Sequence, residues 1–345
     1  MKIAVVTNCV PFISGGAEHL ASSLQRKLIE NGHEALLVRI PFRWYPADKI
    51  LDHMLACRML DIRGVDRVIG LKFPAYYVRH SNKVLWLLHQ FRQAYDLWGS
   101  EYQDIPSTPE GIKIRDAITE ADNHYLREVS KIYTLSHVGT DRLKKFNGID
   151  SEVLFHPLDK SDHFSCSGYG DYLFYPSRIT RGKRQALIVE SMKYVKSRVR
   201  LVVAGQPETA ADQEKIETLI RENHLEDRVQ FMPRFISEDE KAHIFSGALG
   251  CIYTPVDEDS YGYVTLEACH SRKPVITCSD SGGTLILVKD GKTGLVAQPN
   301  AQMIARSMDK LYDDRKEAAR LGEAGYDLML TMGIDWGTVV RKLTA

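Results

Sequence analysis

The stretch "DEDSYGYVTLEACHSRKPVITCSDSGG" (257–283) sets three acids in a row before a glycine and two tyrosines, then a single Glu267 inside an apolar run. Acids so spaced suit three chemistries: holding a metal, accepting hydrogen bonds from sugar hydroxyls, or stabilising a helix start. The pair Asp257-x-Asp259 is too short a pattern to argue for a metal, and no metal site is expected. Acids at a helix N-terminus account for 257–259 through the helix dipole. They do not account for Glu267, whose neighbours in "VTLEACH" otherwise form an apolar face. A helix starting near Tyr263 places Glu267 about one turn in, and helical side chains lean back toward the N-terminus. Glu267 therefore reads as an acceptor for a vicinal diol such as ribose, and Asp259 at the loop tip as an acceptor for another polyol. The loop through Tyr261, Gly262 and Tyr263 should leave the N–H groups of 262–264 unpaired, which makes an anion site.

"PSRITRGKR" (176–184) puts Arg178 and Lys183 just past an apolar run. Two cations there suit phosphate oxygens, Arg as a fork and Lys as a point charge; the alternative is a solvated basic turn. "ISGGAEH" (13–19) places Gly15 and Gly16 between a strand and a helix, where backbone can approach an anion closely. The spacing is not G-x-G-x-x-G, which disfavours a nicotinamide cofactor. "DGKTG" (290–294) lacks the first glycine of a triphosphate loop, Ile286 standing there, and reads as a turn. His89 closes the run "VLWLLH" at a strand end and is either a satisfied core group or a site residue. Arg92, Tyr95 and Trp98 in "HQFRQAYDLW" (89–98) suit stacking on a sugar or gripping a phosphate. The basic run "DRLKKF" (141–146) reads as a solvated helix face, with weak peripheral contact to anionic lipid as the alternative.

These residues need a scaffold, and the chain's grammar describes one. At 345 residues two domains are expected. Forty-five basic and 45 acidic residues leave no net field for nucleic acid. Six cysteines without a C-x-x-C pair read as reduced thiols of a cytoplasmic protein, and no apolar run approaches the ~20 residues of a membrane span. Apolar runs at 2–7, 34–40, 66–72, 83–89 and 131–136 alternate with helical patterns, the first helix (17–30) ending at Asn31-Gly32. The grammar restarts with runs at 172–177, 199–205, 227–233, 250–255 and 273–278, separated by helices near 184–196, 211–223, 238–246 and 263–271. Nearly continuous apolar strands between helices predict α/β parallel sheets covered on both faces. The expected domains are 1–158 and 159–328, with a tail 329–345 that docks on either half. Ligands in such sheets bind at the carboxyl ends of the strands, and with two sheets the expected site is a cleft between them.

Taken together, "SRITRGKR", Asp259-x7-Glu267, "KPVITCSDSGG" and "VKDGKTGLV" resemble the family 4 retaining glycosyltransferases of GT-B fold, two Rossmann-like domains facing each other across a cleft. The resemblance covers nearly the whole chain and is strongest over 172–299. It implies a donor UDP- or GDP-sugar and no other cofactor, with Arg178 and Lys183 on its diphosphate. Glu267 would then bind the ribose, Asp259 a hydroxyl of the transferred sugar, and Gly15, Gly16 and His89 would face the donor. The first domain would bind a saccharide or lipid-linked acceptor, with the protein cytoplasmic or peripheral at the inner membrane face. Transfer would retain the anomeric configuration by front-face displacement. The chain departs from the family in having Asp at 259, where Glu is usual, and Ile286 near the place of an acid. Those departures keep open a non-catalytic sugar-nucleotide binder and a GT-B-type sugar-nucleotide epimerase.

Overall fold

The computed structural model describes residues 1–11 and 15–345; Phe12, Ile13 and Ser14 of the glycine-containing loop lie outside the described residues. The chain forms two compact units, Met1–Pro157 with Asp335–Ala345, and Leu158–Ile334. Among the described residues no helix is long and apolar enough to cross a membrane.

The first unit runs β1 (Lys2–Cys9), α1 (Gly16–Glu30), β2 (Glu34–Pro41), α2 (Lys49–Met59), β3 (Arg67–Gly70), β4 (Lys83–Leu87), α3 (Pro109–Tyr125), β5 (Lys131–Thr134), α4 (His137–Asn147) and β6 (Glu152–Val153). Its sheet is parallel with order β2-β1-β3-β4-β5-β6. Ile3 to Val6 are all essentially buried, as expected of a strand covered on both faces. The chain leaves α1 through Gly32 at φ +82°, the left-handed conformation that makes glycine the usual helix stop. Helix α11 (Trp336–Thr344) belongs to this unit. The Trp336 ring meets the Trp86 ring edge-on at 6.1 Å, Arg67 donates to the Leu343 carbonyl at 2.9 Å, and Lys342 pairs with Glu152.

The second unit runs β7 (Tyr172–Pro176), α5 (Gln185–Ser191), β8 (Arg200–Ala204), α6 (Ala210–Glu222), β9 (Val229–Met232), α7 (Glu238–Gly247), β10 (Gly250–Ile252), α8 (Gly262–His270), β11 (Val275–Cys278), β12 (Gly294–Ala297), α9 (Ala301–Asp313) and α10 (Arg315–Thr331). Its parallel sheet has order β12-β11-β10-β7-β8-β9. The order reverses between β7 and β10, and open α/β sheets hold their ligands at such a reversal, beyond the strand ends. All ten apolar runs read from the sequence form strands. Strands β6 and β12 were not anticipated. The first spans two residues, and the second follows the "DGKTG" turn and lies at the sheet edge. Gly294 permits that edge pairing, since a Cβ there would stand 2.4 Å from the Val275 carbonyl oxygen.

One expected site residue proves to be core. Tyr95 is 7% exposed, and its hydroxyl donates to Asp122 Oδ2 at 2.7 Å. Tyr76 and Tyr77 donate to the other oxygen at 2.8 and 2.7 Å. Burial pushes the Asp122 carboxyl up to about 6, against the lowering effect of the three hydroxyls. Tyr95 is therefore spent on a buried carboxylate and offers no free face to a ligand. Replacing it by Phe strips that oxygen of the Tyr95 donor, and denaturant unfolding should show a loss of about 1–3 kcal/mol. An unchanged midpoint would return Tyr95 to the surface.

Candidate functional site

The reversal in the second sheet brings two loops side by side. After β7 the chain passes Arg178 into a short 3₁₀ turn at Arg181–Lys183; after β10 it forms the acidic loop of 253–261. The two are bonded directly, Val256 N–H donating to the Gly182 carbonyl at 2.9 Å. A third segment braces the acidic loop: Asp257 N–H donates to the Asp280 carbonyl at 2.8 Å, and Gly283 N–H to the Glu258 carbonyl at 2.7 Å. This close approach explains the Gly282-Gly283 pair. A Cβ on Gly282 (φ +58°) would lie 2.5 Å from the Glu258 oxygen, and one on Gly283 would lie 2.6 Å from Ser260 Cα.

The two cations behave differently. Arg178 is about half exposed, and its carboxylate neighbour Glu208 is 3.7 Å away, beyond hydrogen-bond distance. Its own carbonyl is held by Gln185 Nε2 at 2.9 Å, so the residue is anchored by its backbone while the guanidinium stays accessible. Lys183 is paired instead. Its ammonium contacts the Glu258 carboxylate and donates to the Tyr253 hydroxyl at 2.9 Å. Glu258, passed over in the sequence, is thus the counter-ion of Lys183, and an anionic ligand reaching Lys183 must compete with it. Arg184 beside it forks onto Asp280 at 2.8 and 2.5 Å.

Glu267 lies on α8 and is 2% exposed. Its Oε1 is 2.6 Å from Lys241 Nζ on α7, and Lys241 also lies 2.9 Å from Glu238. Burial raises the Glu267 pKa, Lys241 opposes that, and Glu238 adds to it. The other oxygen, Oε2, is buried and has no hydrogen-bond partner among the described residues. A buried acceptor left so costs stability unless something else completes it. Sequence offered no signal for Lys241, which follows a Glu-rich helix start and reads as part of a solvated face.

Asp259 is 7% exposed and Tyr261 is fully buried. Tyr263 is the second residue of α8, with its hydroxyl buried. Gly262 sits at φ +71° with no room for a Cβ, the Tyr253 ring being 2.8 Å away. Its N–H was expected to be unpaired but has Ser260 Oγ at 3.4 Å, a long contact that a better acceptor can displace. Among the described residues no group of three or more His, Cys, Asp or Glu side chains forms a metal-ligand set.

The remaining expected residues belong to the first unit. Gly15 precedes α1 in extended conformation, and its N–H donates to Glu18 Oε2 at 2.9 Å. That places a carboxylate at the helix start where an anion was expected. Gly16 is the first residue of α1. His89, just past β4, has Nδ1 2.6 Å from the Gln90 carbonyl, which fixes the proton on Nδ1. Arg92 is tied to Asp96 at 2.7 Å, and Arg142 approaches the same carboxylate at 3.4 Å, so two guanidiniums share one acid. Trp98 carries the Arg115 guanidinium over its ring at 5.0 Å and packs against the core of the first unit. On α4, Lys144 is exposed and paired with Asp150 at 2.8 Å, as a solvated face would be.

Residues 168–328 match the profile of the family described as "Glycosyl transferases group 1". A curated relative, mouse alpha-1,3/1,6-mannosyltransferase ALG2, is 29% identical over 205 residues, 56% of this chain and 48% of that protein. The chain thus spans about half the length of that relative. Among solved structures, sucrose-phosphate synthase from Thermosynechococcus elongatus superposes with TM-score 0.79 at 17% identity, covering 99% of this chain and 97% of that one. Anabaena HepE, solved with UDP-glucose, gives TM-score 0.73 at 16% identity, covering 100% and 98%. At these identities the likeness establishes the fold, two Rossmann-like sheets of the GT-B type. Profile and fold agree on one conclusion: residues 168–328 are similar to the group 1 glycosyl transferases, within a chain of GT-B fold.

Proposed function

We propose that the protein is a retaining glycosyltransferase that moves a hexose from a UDP- or GDP-sugar to a hydroxyl of a saccharide or lipid-linked acceptor. One observation carries the reading. Past β7 lie an accessible Arg178 and a Lys183 whose ammonium meets Tyr253; the Tyr253 ring packs on the first residue of the helix whose buried Glu267 has one oxygen without a partner among the described residues. Cations for a diphosphate and an acceptor for a diol are the two chemistries that a nucleotide sugar demands. The mannosyltransferase among the relatives and the UDP-glucose bound by HepE support the same substrate class. Six unpaired thiols suit a reducing, cytoplasmic setting.

In the proposed reaction the bond from the anomeric carbon to the diphosphate oxygen breaks, and a bond to the acceptor oxygen forms on the same face. The acceptor's proton passes to the leaving phosphate oxygen. Charge develops on that phosphate, and preorganised donors aimed at it supply the largest rate effect. Arg178 and Lys183 are those donors, assisted by the N–H of Gly262. Because the cations neutralise the leaving group, the reaction is metal-independent, and Asp257, Glu258 and Asp259 hold no metal. Asp259 receives a hydroxyl of the transferred sugar.

Glu267→Gln should keep the fold and weaken nucleoside diphosphate binding about 10- to 100-fold, the loss of one charge-assisted hydrogen bond. Sugar phosphate without the nucleoside should bind as before; equal losses for both would remove Glu267 from the ribose. Asp259→Asn should spare nucleotide affinity and slow transfer.

Turnover at saturating donor should survive exhaustive chelation. Arg178→Ala should cost on the order of 10²–10³ in rate. Lys183→Ala should cost more, because it also leaves Glu258 facing the diphosphate. Adding Glu258→Gln to Lys183→Ala should recover part of that loss. Near-normal turnover in the cation variants, or its abolition by chelator alone, would make the acids a metal site and the cations a solvated turn.

A further inference from the structure

We propose that Lys241 is a positioning residue, fixing the Glu267 carboxylate in its ionised form so that Oε2 faces the ribose diol of a nucleoside diphosphate. The inference rests on the nucleotide-sugar reading of this site. It deepens that reading by assigning a role to a residue on a different helix.

The geometry is specific. Lys241 Nζ holds Oε1 at 2.6 Å and Glu238 at 2.9 Å, and leaves Oε2 untouched. A lysine is a point charge and can bind one carboxylate oxygen, whereas an arginine fork at this place would engage both. The Lys241 side chain is 15% exposed and that of Glu267 is 3% exposed, so water does little of the work of charge compensation. The groups acting on Glu267 are Lys241 and Glu238 from α7, Cys251 from β10, Tyr253 just beyond it and Tyr263 on its own helix. Burial raises the Cys251, Tyr253 and Tyr263 pKa values, which keeps all three neutral near pH 7. Lys241 is then the cation that acts on Glu267, set against burial and the negative charge of Glu238.

The sign follows. Burial and Glu238 favour the protonated carboxyl, and Lys241 favours the ionised one. Without Lys241 the Glu267 pKa rises further, so the ionised acceptor is present only at higher pH. Recognition of the ribose diol should then weaken as pH falls and recover as pH rises.

The readout is the ratio of affinities for UDP over 2′-deoxy-UDP, and GDP over 2′-deoxy-GDP, by calorimetry between about pH 6 and 8.5. Taking the ratio cancels the titration of the diphosphate itself. Wild type should prefer the ribonucleotide and lose less of that preference toward acid pH than the Lys241 variants. Lys241→Met should lose about 10-fold of that preference at the acid end and regain it at the alkaline end. Lys241→Gln keeps a hydrogen-bond donor without the charge; it should show the same slope, and it serves if the Met variant fails to fold. In a Glu267→Gln background, Lys241→Met should cost the preference nothing more. A wild-type ratio at every pH in the Lys241 variants, or losses that add to that of Glu267→Gln, would overturn the role of Lys241 alone. If wild type binds neither diphosphate, or shows no preference for ribose, the nucleotide-sugar reading falls and this inference with it.

Discussion

The second unit is organised around a carboxylate that has been taken out of water. Moving a charged carboxylate into a protein interior costs several kcal/mol unless a partner of opposite charge and further hydrogen bonds restore what water supplied. Glu267 has the partner, Lys241, and lacks the rest, because Oε2 is buried without a donor among the described residues. The surroundings hold this unfinished group in place. Helix α8 starts at a glycine pressed against the Tyr253 ring, and Lys241 comes from α7, whose first turn is capped by Ser237. A site that is incomplete by itself and rigidly framed is preorganised for a ligand that completes it.

The anion side follows a different principle. Lys183 and Glu258, like Arg184 and Asp280, join loops that leave different strands. These pairs hold the turn at 181–183, the acidic loop and the segment at 279–283 together, alongside the backbone bonds that link them. Arg178 is left accessible and loosely paired. Glu258 therefore has two effects on a phosphate ligand: it holds Lys183 in position, and it opposes the negative charge that Lys183 would receive. Asp259, its neighbour in sequence, is the residue the family pattern marks, yet Glu258 is the one that meets the cation.

Much of the fold was legible because the signal was local. Runs such as "KIAVVT" and "YLFYPS" are apolar at nearly every inner position, as strands covered on both faces require. The two strands that escaped notice had little local signal, Glu152–Val153 being two residues long and Gly294–Ala297 hidden behind a turn. In the candidate site the same division holds. Arg178 and Glu267 stood out by sequence position, one past a strand and the other interrupting an apolar helix face. Glu258 and Lys241 did not, since their partners lie 75 and 26 residues away and only the folded sheet brings them together. Tyr95 misled for a related reason. An aromatic residue in an amphipathic segment reads the same from sequence whether it faces a ligand or, as here, a buried Asp122.

A crystal structure of the protein grown with UDP or GDP in the presence of manganese tests the account most directly. The expected map shows ribose hydroxyls within hydrogen-bond distance of Glu267 Oε2, phosphate oxygens on Arg178 and Lys183, and no anomalous peak beside residues 257–259. A ribose bound elsewhere, with Oε2 still unpartnered and manganese bridging the phosphates to Asp257 and Asp259, would contradict it.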